Sequence, residues 1–423
     1  MRGMCGIAFR LGCNGVYTGW MSADALPIYL DSNATTRPLP QVLEKMNRVM
    51  TEVWANPSSI HRAGQMARRE VDLAREAVCE LVKARPSEVI FTSGGTESVN
   101  TCLRSLSRWR QKPLLITSAV EHAAVREQLE DLAEVFDHEV VTLPNDSNGV
   151  VEIEAFQQLL SSRADEIAFV SVMWANNETG VIQPVEQIGM MCREAGIPFH
   201  TDATQWVGKM PIDLESTPID MISFAGHKFH GPKGSGVLWL REGLPLHAMI
   251  LGGGQERKRR GGTESVADIA GLGVACQEAK SWLDNSGHEQ MLAMRSTFEA
   301  YMQSEITECC INAVSADRIW STSNIGFPGI EAELMLLGLS EAGVCASAGS
   351  ACSSGALKGS SVIDAIGRQP CQVDERPYGS VRFSFDRAIT QEQLESAVEI
   401  SSEVFQRLAG LSPNANWPLS AEV

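Results

Sequence analysis

From about residue 39 the chain alternates short, unbroken apolar runs with stretches of helical periodicity, and few architectures satisfy that alternation. Val89–Thr92, Leu114–Thr117, Ile167–Met173, Phe199–Asp202, Met221–Ala225 and Gly236–Leu240 read as strands. Most are continuously apolar, as a strand covered on both faces must be. Between them Met66–Lys83 carries Ala67, Val71, Ala74, Val78 and Leu81 along one stripe, and Glu97–Trp109 and Val185–Glu194 are further helical stretches. Strand and helix in repeated succession give parallel pairing through right-handed crossovers. The expectation is a doubly wound, mostly parallel α/β sheet within residues 39–286.

After Trp282 the character changes. A charged helical stretch, His288–Ser304, precedes the Ser/Thr/Asn-rich alternation of Ile319–Gly326, and the chain closes with Ser380–Phe385 and a helix over Gln391–Leu408. These predict a second, smaller α+β domain made of residues 287–410, to which residues 28–38 are assigned. Residues 1–27 read as a poorly ordered extension, too interrupted for a signal peptide or a membrane span, and residues 411–423 as a loosely held tail. A formal net charge of -17 argues against nonspecific binding to nucleic acid or anionic membrane, both polyanions. Eleven cysteines without a C-x-x-C pair point neither to a disulfide framework nor to a metal site, and predict a reducing, cytoplasmic setting.

In doubly wound sheets ligands gather at the carboxyl ends of strands, and several chemically distinctive segments fall there. Ser93-Gly94-Gly95-Thr96-Glu97 joins a strand to a helix start, either as a simple turn or as a phosphate cradle. His122 follows the next strand, as a satisfied histidine or as a ring lying over an aromatic cofactor. Asn176 and Asn177 supply either turn chemistry or amides for a phenolate oxygen. Asp202 ends an apolar strand, where a buried carboxylate needs a cation: a structural ion pair, or the protonated nitrogen of a pyridine. Lys228, in Ala225-Gly-His227-Lys228-Phe-His230, directly follows a predicted buried strand, where desolvation lowers a lysine's pKa and suits it to carbonyl chemistry. Together these describe a site for pyridoxal 5'-phosphate.

Three segments complete the reading. Gly252–Thr263 is a basic loop, open to interpretation as a solvated charge run or a phosphate clamp. Arg382 sits on an otherwise apolar strand, either in a salt bridge or awaiting a substrate carboxylate. Cys352 lies in Ser347–Gly355, a Gly/Ser-rich turn, where a thiol is offered to solvent rather than packed.

With these residues assembled, the chain resembles the cysteine desulfurases of the NifS/IscS type, pyridoxal-phosphate enzymes of aminotransferase class V. The resemblance runs from Ile28-Tyr-Leu-Asp-Ser-Asn33-Ala-Thr-Thr36 to about Leu408 and includes Asn56–His61, Phe91–Asn100, Asn176–Gly180, Asp202–Gln205, His227-Lys228 and Gly349–Cys352. It implies the aspartate-aminotransferase-like fold, with a seven-stranded, mostly parallel sheet in the large domain. It implies that Lys228 carries the cofactor and moves the Cα proton, that Asp202 pairs with the pyridine nitrogen, and that His122 stacks on the ring and exchanges a proton with the substrate thiol. Asn177 and Gln205 would approach the phenolic oxygen; Gly95, Thr96 and His227 would hold the phosphate, with Thr263 arriving from the second subunit of a homodimer. Arg382, assisted by Asn33 or Asn177, would take the carboxylate of L-cysteine, and Cys352 would accept its sulfur for transfer to an acceptor protein such as an iron–sulfur scaffold.

The chain departs from the family pattern at Ala225, where many relatives have a phosphate-binding serine, at Leu357–Ser361, and at Phe385-Asp386 before Arg387. The segment leading to Arg382 also looks a few residues longer than usual. The alternatives are another class V chemistry, such as selenocysteine lyase, cystine lyase or an aminotransferase, and a non-catalytic sulfur-transfer scaffold. An aminotransferase has no use for an exposed thiol, and a silent scaffold has none for Lys228 and Asp202.

Overall fold

The computed structural model describes residues 27–348, 360–367 and 378–411. In chain order the strands are β1 (Ile28–Tyr29), β2 (Val89–Thr92), β3 (Leu114–Ser118), β4 (Glu139–Leu143), β5 (Ile167–Ser171), β6 (Phe199–Asp202), β7 (Met221–Ala225), β8 (Gly236–Leu240), β9 (Cys310–Ile311), β10 (Thr322–Pro328), β11 (Val344–Cys345) and β12 (Tyr378–Ser384). The main sheet has seven strands in the order β2-β8-β7-β6-β5-β3-β4. Pairing is parallel except at β8, which runs antiparallel to both β2 and β7.

The unbroken apolar runs explain this arrangement. Every residue of β2, β3, β5, β6, β7 and β8 is buried, so helices cover both faces. The expected strands fall where the apolar runs lie, whereas β4 went unread. It lies at one edge of the sheet with its residues before Leu143 exposed or half-buried, so unlike β2 at the other edge it carries no continuous apolar run. The helix Arg62–Val82 buries Ala67, Val71, Ala74, Val78 and Leu81 on one face, and each such aliphatic side chain contributes about 1–3 kcal/mol. It begins four residues before the sequence signal, capped by His61 Nδ1, which accepts from Gly64 N at 3.2 Å.

A second core gathers Leu30 with residues from Met291 to Phe405. The antiparallel sheet β12-β10-β9 and the parallel pair β1-β11 frame it, and Phe298 packs against Phe383 and Phe385 at ring-centroid separations of 5.5 and 5.2 Å. Leu30 fixes the route of the preceding strand, so Asp31 and Asn33 are delivered beside Ser384 and the end of β12. Six of the described cysteines are free thiols, and Cys310 is disulfide-bonded. Among the described residues no helix is long and apolar enough to cross a membrane, and no cluster of His, Cys, Asp and Glu could hold a metal ion.

Candidate active site

The turns after β2, β3, β5, β6 and β7 converge on one cavity of about 280 Å³. Asn33, Gly95, Thr96, His122, Asn177, Asp202, Gln205, His227, Lys228 and Arg382 all line it, together with Ala225. Cys352 lies outside the described residues. Thr263 is not among the lining residues; it is exposed, in a surface groove shared with Met50 and Trp54.

One end of the cavity suits an anion. The helix Gly95–Arg110 starts at its wall, so unpaired backbone N–H groups and the positive end of the helix dipole face inward. The space beside Gly95 is narrow: a Cβ there would come 3.1 Å from Thr204 Oγ1, which would have to give by a few tenths of an ångström. Thr204 itself lines the cavity, a contribution the sequence reading passed over although it lies between Asp202 and Gln205. His227 hydrogen-bonds through Nδ1 to Thr35 Oγ1 at 3.1 Å, and burial, aided by the charges of Lys228, Lys233 and Lys209, pushes its pKa down to about 4. It is therefore neutral at physiological pH. In the basic loop, Arg260 is committed to Glu97 at 2.9 Å, which ties the loop to the start of the same helix.

Asp202 is 5 % exposed. Its Oδ1 accepts from Thr204 N at 3.0 Å, and no cation among the described residues lies within ion-pairing distance. Of the two readings of this carboxylate, the structural ion pair is absent among those residues. A buried carboxylate without a cation is costly, so a cation bound within the cavity is what its placement favours.

His122 caps the helix Ala123–Phe136, its Nδ1 accepting from Ala124 N at 3.1 Å. That bond fixes the ring and leaves the proton of the neutral imidazole on Nε2. Burial lowers its pKa, with Asp202 opposing and Lys228 and Arg126 assisting. The paired asparagines divide their duties. Asn176 Oδ1 accepts from Glu178 N and Thr179 N at 2.8 and 2.9 Å and builds the turn, while Asn177 lines the cavity.

Asn33 is the hub of the opposite end. Its Nδ2 donates to Asn177 O and Thr322 Oγ1 at 3.1 and 2.7 Å, and its Oδ1 accepts from Lys209 Nζ at 2.9 Å. Both amide hydrogens are thus engaged within the protein, which leaves Asn177 better placed than Asn33 to assist a substrate carboxylate. The carbonyl of Asn33 accepts from Lys228 Nζ at 2.6 Å and from Gln205 Nε2 at 3.1 Å. Lys228 Nζ also donates to Ala34 O at 3.0 Å. Arg382 is 2 % exposed, donating from Nη1 to Asn177 O at 3.0 Å and from Nη2 to Asp31 Oδ1 at 2.7 Å. The salt-bridge reading of Arg382 is met by Asp31, and the same side chain also lines the cavity, where the substrate reading places it. Neither Asp31 nor Lys209 was singled out from sequence.

An anion cradle, a buried carboxylate lacking a cation and a lysine opposite them form the donor set that pyridoxal phosphate requires, so the residues present fit that group. The family described as aminotransferase class-V matches residues 28–396. A cysteine desulfurase of Cereibacter sphaeroides is 41% identical over 388 residues, 91% of this chain and 97% of that protein. A solved structure titled NIFS-LIKE PROTEIN superposes with a TM-score of 0.81 at 32% identity, covering 90% of this chain and 100% of the other. Another, titled SspA in complex with cysteine, has a TM-score of 0.71 at 31% identity over 86% of this chain and 99% of that one.

Proposed function

The chain belongs to the aminotransferase class-V family, and from that premise we infer that it is a cysteine desulfurase, an enzyme converting L-cysteine to L-alanine and capturing the sulfur as a persulfide. The observation that carries the reading is Asp202, a buried carboxylate facing a cavity that Lys228 also lines. In the proposed site the helix start at Gly95–Thr96 and His227 would hold the phosphate, Asp202 would pair with the ring nitrogen, Lys228 would carry the cofactor and His122 would face the ring, all of them residues that line the cavity. When bound, pyridoxal phosphate withdraws electrons from the substrate's Cα.

The chain's own residues do the rest. Arg382 and Asn177 take the carboxylate of L-cysteine and orient its Cα–H toward Lys228. Lys228, held by the carbonyls of Asn33 and Ala34, removes that proton and later returns it. His122, neutral and with Nε2 carrying the proton, offers that N–H as a donor to the substrate sulfur. The thiolate of Cys352 bonds to the substrate sulfur as the C–S bond breaks. The electron pair stays on the carbon skeleton, which is protonated and leaves as L-alanine.

The same reading makes the protein a cytoplasmic homodimer in which Thr263 reaches the neighbouring site. Trp54, 78% exposed beside Thr263, supports that surface as the contact. The persulfide would pass to an acceptor protein such as an iron–sulfur scaffold. The test is product stoichiometry: with L-cysteine and excess dithiothreitol, alanine and sulfide should form in equal amounts. Pyruvate and ammonia in their place would refute the reading.

A further inference from the structure

Lys209 is 3 % exposed, does not line the cavity, and has no carboxylate within ion-pairing distance among the described residues. Burial, reinforced by the charges of Lys228 and Arg382 and opposed by Asp386, pushes its pKa well below the ordinary lysine range. Burying an ammonium in this way is expensive, and an aliphatic side chain would pack at less cost. What the lysine provides is two hydrogen bonds. Nζ donates to Asn33 Oδ1 at 2.9 Å and to Gln205 Oε1 at 2.5 Å, and both the charged and the neutral amine have the hydrogens to do so.

Nζ donates to both carboxamides, so each turns its oxygen toward the lysine. With Oδ1 held by Lys209, Asn33 must turn Nδ2 the other way, onto Asn177 O and Thr322 Oγ1. With Oε1 held, Gln205 must turn Nε2 onto Asn33 O. Those two acceptors are the ones that position the reactive groups: Asn177 O receives Arg382 Nη1, and Asn33 O receives Lys228 Nζ. Reversing the Asn33 amide would set Oδ1 against Asn177 O, two acceptors facing each other, and would displace the carbonyl that steadies Arg382.

We propose that Lys209 is a positioning residue for catalysis: by orienting the amides of Asn33 and Gln205, it places Arg382 for the substrate carboxylate and Lys228 for the Cα proton. The inference rests on the desulfurase reading for the identity of the substrate. It assigns Lys209 no contact with substrate or cofactor. It predicts that Lys209 acts through Asn33, so that removing both residues does no more damage than removing Asn33 alone.

The test uses cofactor-loaded wild type, K209M, N33A and the double variant K209M/N33A. Each is titrated with L-cysteine by the change in its visible spectrum, and the pH midpoint of that spectrum is measured in parallel. The expected result is that K209M binds pyridoxal phosphate and melts as a folded protein, but needs about tenfold more L-cysteine, the effect of losing one charge-assisted hydrogen bond. Its spectral midpoint moves as the Asn33 carbonyl, one of the acceptors that hold Lys228, shifts, and the double variant matches N33A. If K209M does not fold, K209Q, which keeps a donor, should bind L-cysteine within about threefold of wild type, since most of one hydrogen bond is retained. A K209M indistinguishable from wild type, a K209Q as weak as N33A, or effects of K209M and N33A that multiply would each overturn the proposal. Wild-type protein whose spectrum L-cysteine leaves unchanged would instead refute the desulfurase reading, and the inference with it.

Discussion

Glu121, next to His122, gives a prediction whose size follows from the structure. Its Oε1 accepts from Ser118 Oγ at 2.5 Å and from Met173 N at 2.8 Å, joining the ends of two neighbouring parallel strands. Its Oε2 is buried without a hydrogen-bond partner, and the residue is 4 % exposed. Burial raises its pKa to about 8, against the pull of the two hydrogen bonds and with help from the charge of Asp202. Glu121 is therefore mostly the neutral acid at pH 7, which keeps a second negative charge away from Asp202. In the unfolded chain the same group ionises near 4.5. Between those values the folded state binds the extra proton, so stability falls as pH rises, by about 1.4 kcal/mol per pH unit and about 5 kcal/mol in all. Glutamine keeps the acceptor oxygen and does not titrate. The stability difference between E121Q and wild type should therefore move in favour of E121Q by about 2.7 kcal/mol from pH 5.5 to 7.5. Urea unfolding of both cofactor-loaded proteins at the two pH values, followed by tryptophan fluorescence, measures it. Parallel pH dependence in the two proteins would refute the argument, because it would mean that Glu121 is ionised in the fold.

Other expectations are more local. R382A should load cofactor normally but raise the KM for L-cysteine by about 10–100-fold, the effect of losing a charged hydrogen-bond donor, as measured by steady-state kinetics. G236A should destabilise the fold by about 1–3 kcal/mol and weaken cofactor binding, because the added Cβ would sit 2.5 Å from the Gly94 backbone at the anion cradle. Thermal melting and equilibrium dialysis with pyridoxal phosphate test both effects. Since burial holds the His122 pKa below 6.5, activity should not fall with the titration of an ordinary histidine as pH drops from 7 to 6. An acid limb in kcat/KM centred at or above 6.5, and abolished in H122Q, would contradict that.

The sequence carries the fold wherever burial is two-sided. Runs such as Ile167–Ser171 and Met221–Ala225 have no polar face, and their only comfortable place is inside a covered sheet. Edge strand β4 broke that rule and went unread. Most of the cavity-lining residues were legible for a related reason: apart from Asn33 and Arg382 they sit at or just after the ends of buried strands of the main sheet, so chain-local order places them together. What stayed hidden depends on contacts distant in sequence. The bonds from Lys209 to Asn33 and from Arg382 to Asp31 span 176 and 351 positions, and no local pattern announces them. Asn176 shows the opposite limit, since an Asn-Asn pair does not reveal which member builds the turn and which faces the ligand.

The central claim is that Cys352 receives the sulfur. Cofactor-loaded protein would be incubated with L-cysteine in the absence of reductant, alanine counted, and the peptide containing Cys352 weighed by mass spectrometry. One extra sulfur on Cys352, matched by one alanine per site and absent in C352S, is the predicted result. Alanine or pyruvate accumulating while Cys352 stays unmodified would contradict the account.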